Sequence, residues 1–214
     1  MEAAPALGIT TLTLYAFSSD NWKRPLPEVR HLMGLLRTHL RSEAARCREE
    51  GVRVSVIGRR DRLDPGLVAA IEAIETRTHL GTRLHLQLAV DYSGRDALLE
   101  AVRLAAGSAD IIPLHGGRTP TGGLSREELG DLLARALHAP GAIPDVDLLI
   151  RTGGEQRLSD FLLWEAAYAE LVFTPRAWPD FSGEELEAAL NEFRRRDRRF
   201  GGVSNGVARE VSHG

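Results

Sequence analysis

The chain predicts an α/β fold, a single domain in which helices flank a mostly parallel central sheet. Three observations carry that expectation. Short β-prone apolar runs alternate with stretches whose apolar residues recur at helical spacing. Several of those stretches open on a capping signature. Polar, often glycine-bearing segments follow the strands, which is where ligands collect in open α/β sheets. With 214 residues, 43% of them hydrophobic, the chain can bury one sizeable core and leaves no further module of domain size.

The elements follow in order. Ile9 to Ala16 reads as a strand rich in Thr and Leu, and Pro25 and Pro27 punctuate the loop after it. Val29, Leu32, Met33, Leu36, Leu40, Ala44 and Cys47 then share one face of a helix that Gly51 stops. Val52, Val54 and Val56 alternate as a strand does. Asp64 supplies an N-cap and Pro65 a preset first turn for a helix that buries Leu67, Val68, Ile71 and Ile74. Gly81 closes it. Leu84, Leu86, Leu88 and Val90 form the third strand, which leaves through Asp91-Tyr-Ser-Gly-Arg95, and Leu98, Leu99 and Val102 carry the next helix. The connection from Gly107 to Gly123 is too long for a tight turn and is expected to be mobile. Ser125 and Glu128 make a capping box for a helix through Leu137. A strand at Val146 to Ile150, a short apolar helix around Phe161 to Ala167 and a strand at Leu171 to Phe173 complete the sheet. Ser182 and Glu185 cap the last helix, whose Leu186, Ala189, Leu190 and Phe193 face inward.

Composition excludes several function classes. A formal net charge of −3 opposes bulk nucleic-acid binding, which needs clustered Lys and Arg to displace counterions. The lone Cys47 allows no internal disulfide, and no apolar run approaches the length of a membrane span, so a cytoplasmic protein is expected. The seven histidines show no ligand spacing. Neither a Walker loop, a dinucleotide fingerprint nor a nucleophile elbow is present.

The most informative stretch runs from Asp147 through Arg151-Thr-Gly-Gly-Glu-Gln-Arg157-Leu-Ser159 to Tyr168-Ala-Glu170. An apolar strand ends there in two arginines, a glycine turn and a serine. Guanidinium forks grip phosphate oxygens bidentately, Gly153 and Gly154 let backbone N–H groups come close, and a hydroxyl adds a further bond. The pattern suits a polyphosphate. Glu170 lies in an otherwise apolar run, where an unpaired charge is costly, and so calls for a metal or a cationic partner. Bland alternatives stand beside these: surface ion pairs for the arginines, a structural salt bridge for Glu170, and loop packing for Trp22 beside Pro25.

This stretch resembles the cis-prenyltransferases, the undecaprenyl diphosphate synthase family. Thr11-Leu-Thr-Leu-Tyr-Ala-Phe-Ser-Ser-Asp-Asn-Trp-Lys-Arg-Pro25 is similar to that family's Phe-Ser-x-x-Asn-Trp-x-Arg strand and loop, with Asp20 where many members have Glu. Val56-Ile-Gly58, Tyr92-Ser-Gly-Arg95 and Arg198-Arg-Phe-Gly-Gly202 match as well, so the likeness runs roughly from Leu7 to Gly202. The resemblance implies condensation of isopentenyl diphosphate with an allylic prenyl diphosphate, lengthening a cis-polyprenyl chain by one unit. It implies Ser18 and Asn21 as the catalytic polar groups, with Trp22 and Arg24 in a mobile loop over substrate and Glu28, also on the substrate side, at the start of the following helix. Arg151, Arg157 and Ser159 would bind isopentenyl diphosphate, Glu170 would hold Mg²⁺, and Arg199 and Gly201 would reach across a homodimer to the partner's diphosphate. An apolar tunnel would take the product, with at most peripheral membrane contact through that lipid and no nucleic acid.

One family segment has no counterpart. Members open with a strand and an Asp-Gly-Asn-x-Arg-Trp loop that cradles the allylic diphosphate, whereas Met1 to Ile9 is similar only to the tail of the helix that follows it. The expectation is a single domain over 1–214 lacking that first strand and phosphate loop, with an open edge on the strand Ile9 to Ala16, low activity of this chain alone, and a disordered tail over 203–214. Two other readings remain: a catalytically silent partner subunit of a prenyltransferase, or a plain phosphate-binding α/β domain.

Overall fold

The computed structural model describes residues 3–107 and 124–196. Arg199 and Gly201, the stretch 108–123 and the tail 203–214 lie outside the described residues. Five strands and five α-helices follow the alternation read from the sequence: β1 (Thr11–Ser18), α1 (Leu26–Glu49), β2 (Val52–Ile57), α2 (Pro65–Thr78), β3 (Leu84–Tyr92), α3 (Gly94–Gly107), α4 (Arg126–Ala136), β4 (Leu148–Arg151), β5 (Glu170–Phe173) and α5 (Gly183–Arg195). Every strand pairing is parallel, as crossover helices require. The expected central sheet, however, is divided. One sheet has the order β1-β3-β2 and the other pairs β4 with β5.

Local signals set the helix ends. The Asp64 side chain accepts from the Gly66 and Leu67 amides at the start of α2, and Ser125–Glu128 and Ser182–Glu185 close reciprocal capping boxes on α4 and α5. The apolar stripe of α1 buries Val29, Met33, Leu40, Ala44 and Cys47 against Val54, Val56 and Leu86 of the larger sheet and Leu67 and Ile71 of α2. A second core gathers Ile57, Ala89 and Tyr92 with Ala97 and Ala101 of α3, Leu132 and Leu133 of α4, and Leu149 of β4. That second core is what joins the two sheets.

Strand bounds move toward the polar loops: β1 ends at Ser18 rather than Ala16, and β4 at Arg151 rather than Ile150. The short helix expected at Phe161 to Ala167 is a succession of turns instead. Its entrance explains why. Ser159, Asp160 and Leu162 all have positive φ, at 52°, 66° and 45°, and a right-handed helix cannot pass through such residues.

Candidate functional site

Strands pair in parallel within each sheet, and the loops after β1, β3 and β4 leave from the carboxyl ends of their strands. Ser18 closes β1 and caps a 3-10 turn over Ser19–Lys23: its Oγ accepts from the Asp20 amide at 3.0 Å, and its own amide donates to Asn21 Oδ1 at 2.9 Å. The two residues expected to be catalytic thus hold one another in a capping box. Trp22 packs edge-on against Phe17 with ring centroids 5.4 Å apart and lies under the Arg62 guanidinium at 5.6 Å, so the packing role is real. Its indole Nε1 is buried without a hydrogen-bond partner among the described residues. Arg24 and Glu28 pair with each other at 2.8 Å.

Beneath this turn, at the head of the polar exit from β3, lies a carboxylate whose partners no local pattern announces. Asp91, wholly buried and at positive φ, accepts from Ser19 Oγ at 3.0 Å and from Arg62 through both Nε, at 2.8 Å, and a terminal nitrogen. A buried carboxylate needs such a partner, and the pair fastens the Ser18–Arg24 loop to the end of β3.

The arginine loop is built as a grip. Arg151 donates from one terminal nitrogen to Ser159 Oγ at 2.7 Å and to the Arg157 carbonyl at 2.6 Å. Its other terminal nitrogen and that of Arg157 meet the two carboxylate oxygens of Glu155. Arg151, and then Arg157, hold the Glu155 carboxyl below its ordinary range. Two cations therefore converge on one anion, with a hydroxyl beside it. The glycines play a different part from the expected one: Gly153 N–H donates to the Arg176 carbonyl at 2.6 Å and Gly154 N–H to the Thr174 carbonyl at 2.9 Å. Their φ values of 88° and 78° make the turn, while their amides fasten it to the segment after β5.

Glu170 stands apart from this grip. It opens β5 opposite Leu148, whereas Arg151 is opposite Phe173, which puts Glu170 roughly 10 Å along the strands from the grip. Its carboxylate accepts from Arg196 at 2.8 Å, which is the structural salt bridge weighed against a metal. Among the described residues no group of three or more His, Cys, Asp or Glu could hold a metal ion. No helix is long and apolar enough to cross a membrane among them.

Tyr15, on β1, connects the loops. Its ring stacks on Phe161 at 4.4 Å and meets Tyr92 edge-on, while its hydroxyl reaches the carbonyls of Ser159 and Tyr92 at 3.3 and 3.4 Å. Burial pushes its phenol pKa up, so it stays a neutral donor.

Comparison with known proteins shows the family. A family model described as "Putative undecaprenyl diphosphate synthase" matches residues 1–201. The chain is 50% identical over 211 residues to isoprenyl transferase 1 of Bradyrhizobium diazoefficiens, covering 99% of this chain and 79% of that protein. It is 45% identical over 203 residues to an isoprenyl transferase of Aquifex pyrophilus, covering 95% and 81%. Among solved structures, lavandulyl diphosphate synthase from Lavandula x intermedia, in complex with dimethylallyl diphosphate, matches with a TM-score of 0.83 and 34% identity over 94% of this chain and 82% of that one.

Proposed function

Because the chain belongs to the undecaprenyl diphosphate synthase family, whose members transfer prenyl groups, we infer that it joins isopentenyl diphosphate to an allylic prenyl diphosphate and releases diphosphate. The product is a cis-polyprenyl diphosphate one isoprene unit longer. One observation supports the homoallylic site best: Arg151 and Arg157 converge on the two oxygens of a single carboxylate, with Ser159 alongside. Glu155 stands where a substrate diphosphate would bind. A diphosphate offers more charge and more oxygens to the same two forks and displaces it. The silent-subunit and plain phosphate-binding readings explain this grip less well than an enzyme among isoprenyl transferases does.

Ser18 and Asn21 are the polar groups we assign to the reacting ends, Trp22 and Arg24 to the loop that covers substrate, and Glu28, in the first turn of α1, to the substrate side beside that loop. Apolar residues of β1 and α1 suit a growing chain: Leu12, Leu14, Leu32 and Leu36 are only partly buried against the first core, and Leu35 is exposed. Glu170 is the candidate protein ligand for Mg²⁺. A hard carboxylate fits a cation that takes one or two protein carboxylates beside phosphate oxygens and water, provided that it leaves Arg196. Mg²⁺, when bound, neutralises charge on the departing diphosphate.

Replacing Arg157 with Ala removes one fork and should weaken isopentenyl diphosphate binding by about 1.5–3 kcal/mol, the range for hydrogen bonds to charged groups. Calorimetry that finds unchanged affinity in a folded variant would remove the site. We further propose a homodimer in which the stretch 162–173 and the Arg199–Gly201 segment meet the partner; exposed Tyr168 and Trp178, near β5, motivate it. Light scattering that finds a stable monomer at micromolar concentration defeats that assignment. A cytoplasmic location, with peripheral membrane contact through the lipid product, accompanies this reading.

A further inference from the structure

The Ser93-Gly94-Arg95 motif contributes no side chain to the grip, yet it touches the segment that builds it. Three residues with positive φ in a stretch of four, Ser159, Asp160 and Leu162, form a turn that no local preference stabilises, and side chains other than Gly and Asn/Asp resist such backbone. Something must hold it. Ser93 Oγ donates to Asp160 Oδ2 at 2.5 Å, the Arg95 amide donates to Asp160 Oδ1 at 2.9 Å, and the Gly94 amide donates to the Asp160 carbonyl at 3.0 Å. Asp160 thus occupies the start of α3 from a distant part of the chain, and its negative charge suits the N-terminal end of that helix. Gly94 is required for the approach: a Cβ there would lie 2.9 Å from the Asp160 carbonyl oxygen and 3.0 Å from Leu163 Cγ.

The consequence reaches the anion grip within one residue. Ser159, immediately before Asp160, hydrogen-bonds Arg151 through its hydroxyl and accepts the Tyr15 hydroxyl on its carbonyl. A turn free to relax would swing Ser159 away and leave the Arg151 fork without its lateral support. We propose that Asp160, anchored on Ser93-Gly94-Arg95, is a positioning residue that presets Arg151 and Ser159 for the homoallylic diphosphate. Its advantage is preorganisation: the grip exists before substrate arrives, so binding need not order it. This inference rests on the reading of Arg151, Arg157 and Ser159 as the diphosphate site.

Calorimetric titration of the whole chain with isopentenyl diphosphate, beside urea unfolding of the same variants, tests it. Asp160→Ala should weaken isopentenyl diphosphate binding about tenfold or more, the scale of lost hydrogen bonds to a charged group. Asp160→Asn keeps an acceptor for the Arg95 amide and should recover most of the loss. Ser93→Ala, a milder change that removes one hydroxyl, should weaken the same affinity about threefold and serves if Asp160→Ala does not fold. Equal affinities in wild type and a folded Asp160→Ala, or a loss that Asp160→Asn does not recover, overturn the proposal. Failure of the wild-type chain to bind isopentenyl diphosphate at all overturns the reading of the grip and this inference with it.

Discussion

The two edges of the larger sheet are finished in opposite ways. Along β2, α2 supplies the closure: the Val54 amide donates to Thr78 Oγ1 at 3.0 Å and the Val56 amide to Glu75 Oε1 at 2.9 Å, while Arg60 bridges the Val56 carbonyl and the Glu75 carboxylate. Along β1, among the described residues, no side chain hydrogen-bonds the outward backbone of Thr11–Phe17. A covered edge refuses further strands, whereas an uncovered one is a template for them. The candidate site follows the open side: the Ser18–Arg24 turn leaves from the end of β1, and Tyr15 of the same strand reaches the Arg151–Ser159 loop.

Breaking the closed edge should have the largest effect. Glu75→Ala leaves the Val56 amide without its acceptor and the Arg60 guanidinium without its counter-ion in a setting that is mostly buried. Removing one partner of a buried pair costs about 3–5 kcal/mol, and partial exposure of Arg60 and Glu75, at 19% and 25%, reduces this to about 2–4 kcal/mol. Urea unfolding measures the loss. Hydrogen exchange sharpens it: the Val56 amide should lose protection and come to behave like the outward amides of β1, which should already exchange faster in the wild type. Protection of β1 equal to that of β2 in the unaltered chain would erase the contrast.

What was legible in the sequence was what short-range chemistry decides. Asp64-Pro65, Ser125–Glu128 and Ser182–Glu185 announced helix starts because a cap is a bond between near neighbours. The α1 stripe was legible because burial repeats every turn. The stretch Phe161–Ala167 was misread because its apolar Leu, Trp and Ala residues suit a helix, while the bonds that override that preference come from Ser93, Gly94 and Tyr15, far away in the chain. Arg151, Arg157 and Ser159 were visible as a pattern, and the structure brings them together. Glu155 between them, Asp91 under the Ser18 turn and Asp160 at the start of α3 were not, since an isolated acid, whether in a loop or, like Asp91, near the end of a strand, carries no signal of which cation or amide it will meet. Glu170 was singled out for its apolar neighbours, but its partner, Arg196, is supplied by the end of another helix.

The smallest effect distinguishes the two sides by pH. Burial lowers the pKa of His85, whose ring bonds Ser55 of β2 at 2.7 Å, and of His138, where Arg60 adds to the shift against the opposing charges of Glu75 and Asp61. Both belong to the closed side. Above the ordinary value of 6.5 they are neutral in the folded and unfolded chain alike and contribute no slope. As pH falls below it, the unfolded chain takes up protons that the folded chain refuses, so stability declines until the lower folded values are passed. Glu155, on the open side, has the opposite chemistry in a lower window: its carboxyl is depressed from 4.5 by Arg151 and Arg157, so its contribution is present above 4.5 and is lost as pH falls through the folded value. Thermal unfolding across pH should therefore show a shallow loss beginning near 6.5, which His85→Gln combined with His138→Gln removes, and a separate loss below 4.5, which that pair leaves in place. A double variant that keeps the wild-type slope between pH 6.5 and about 5 would show that the protons are taken up elsewhere, and that the closed edge is not the side that senses mild acid.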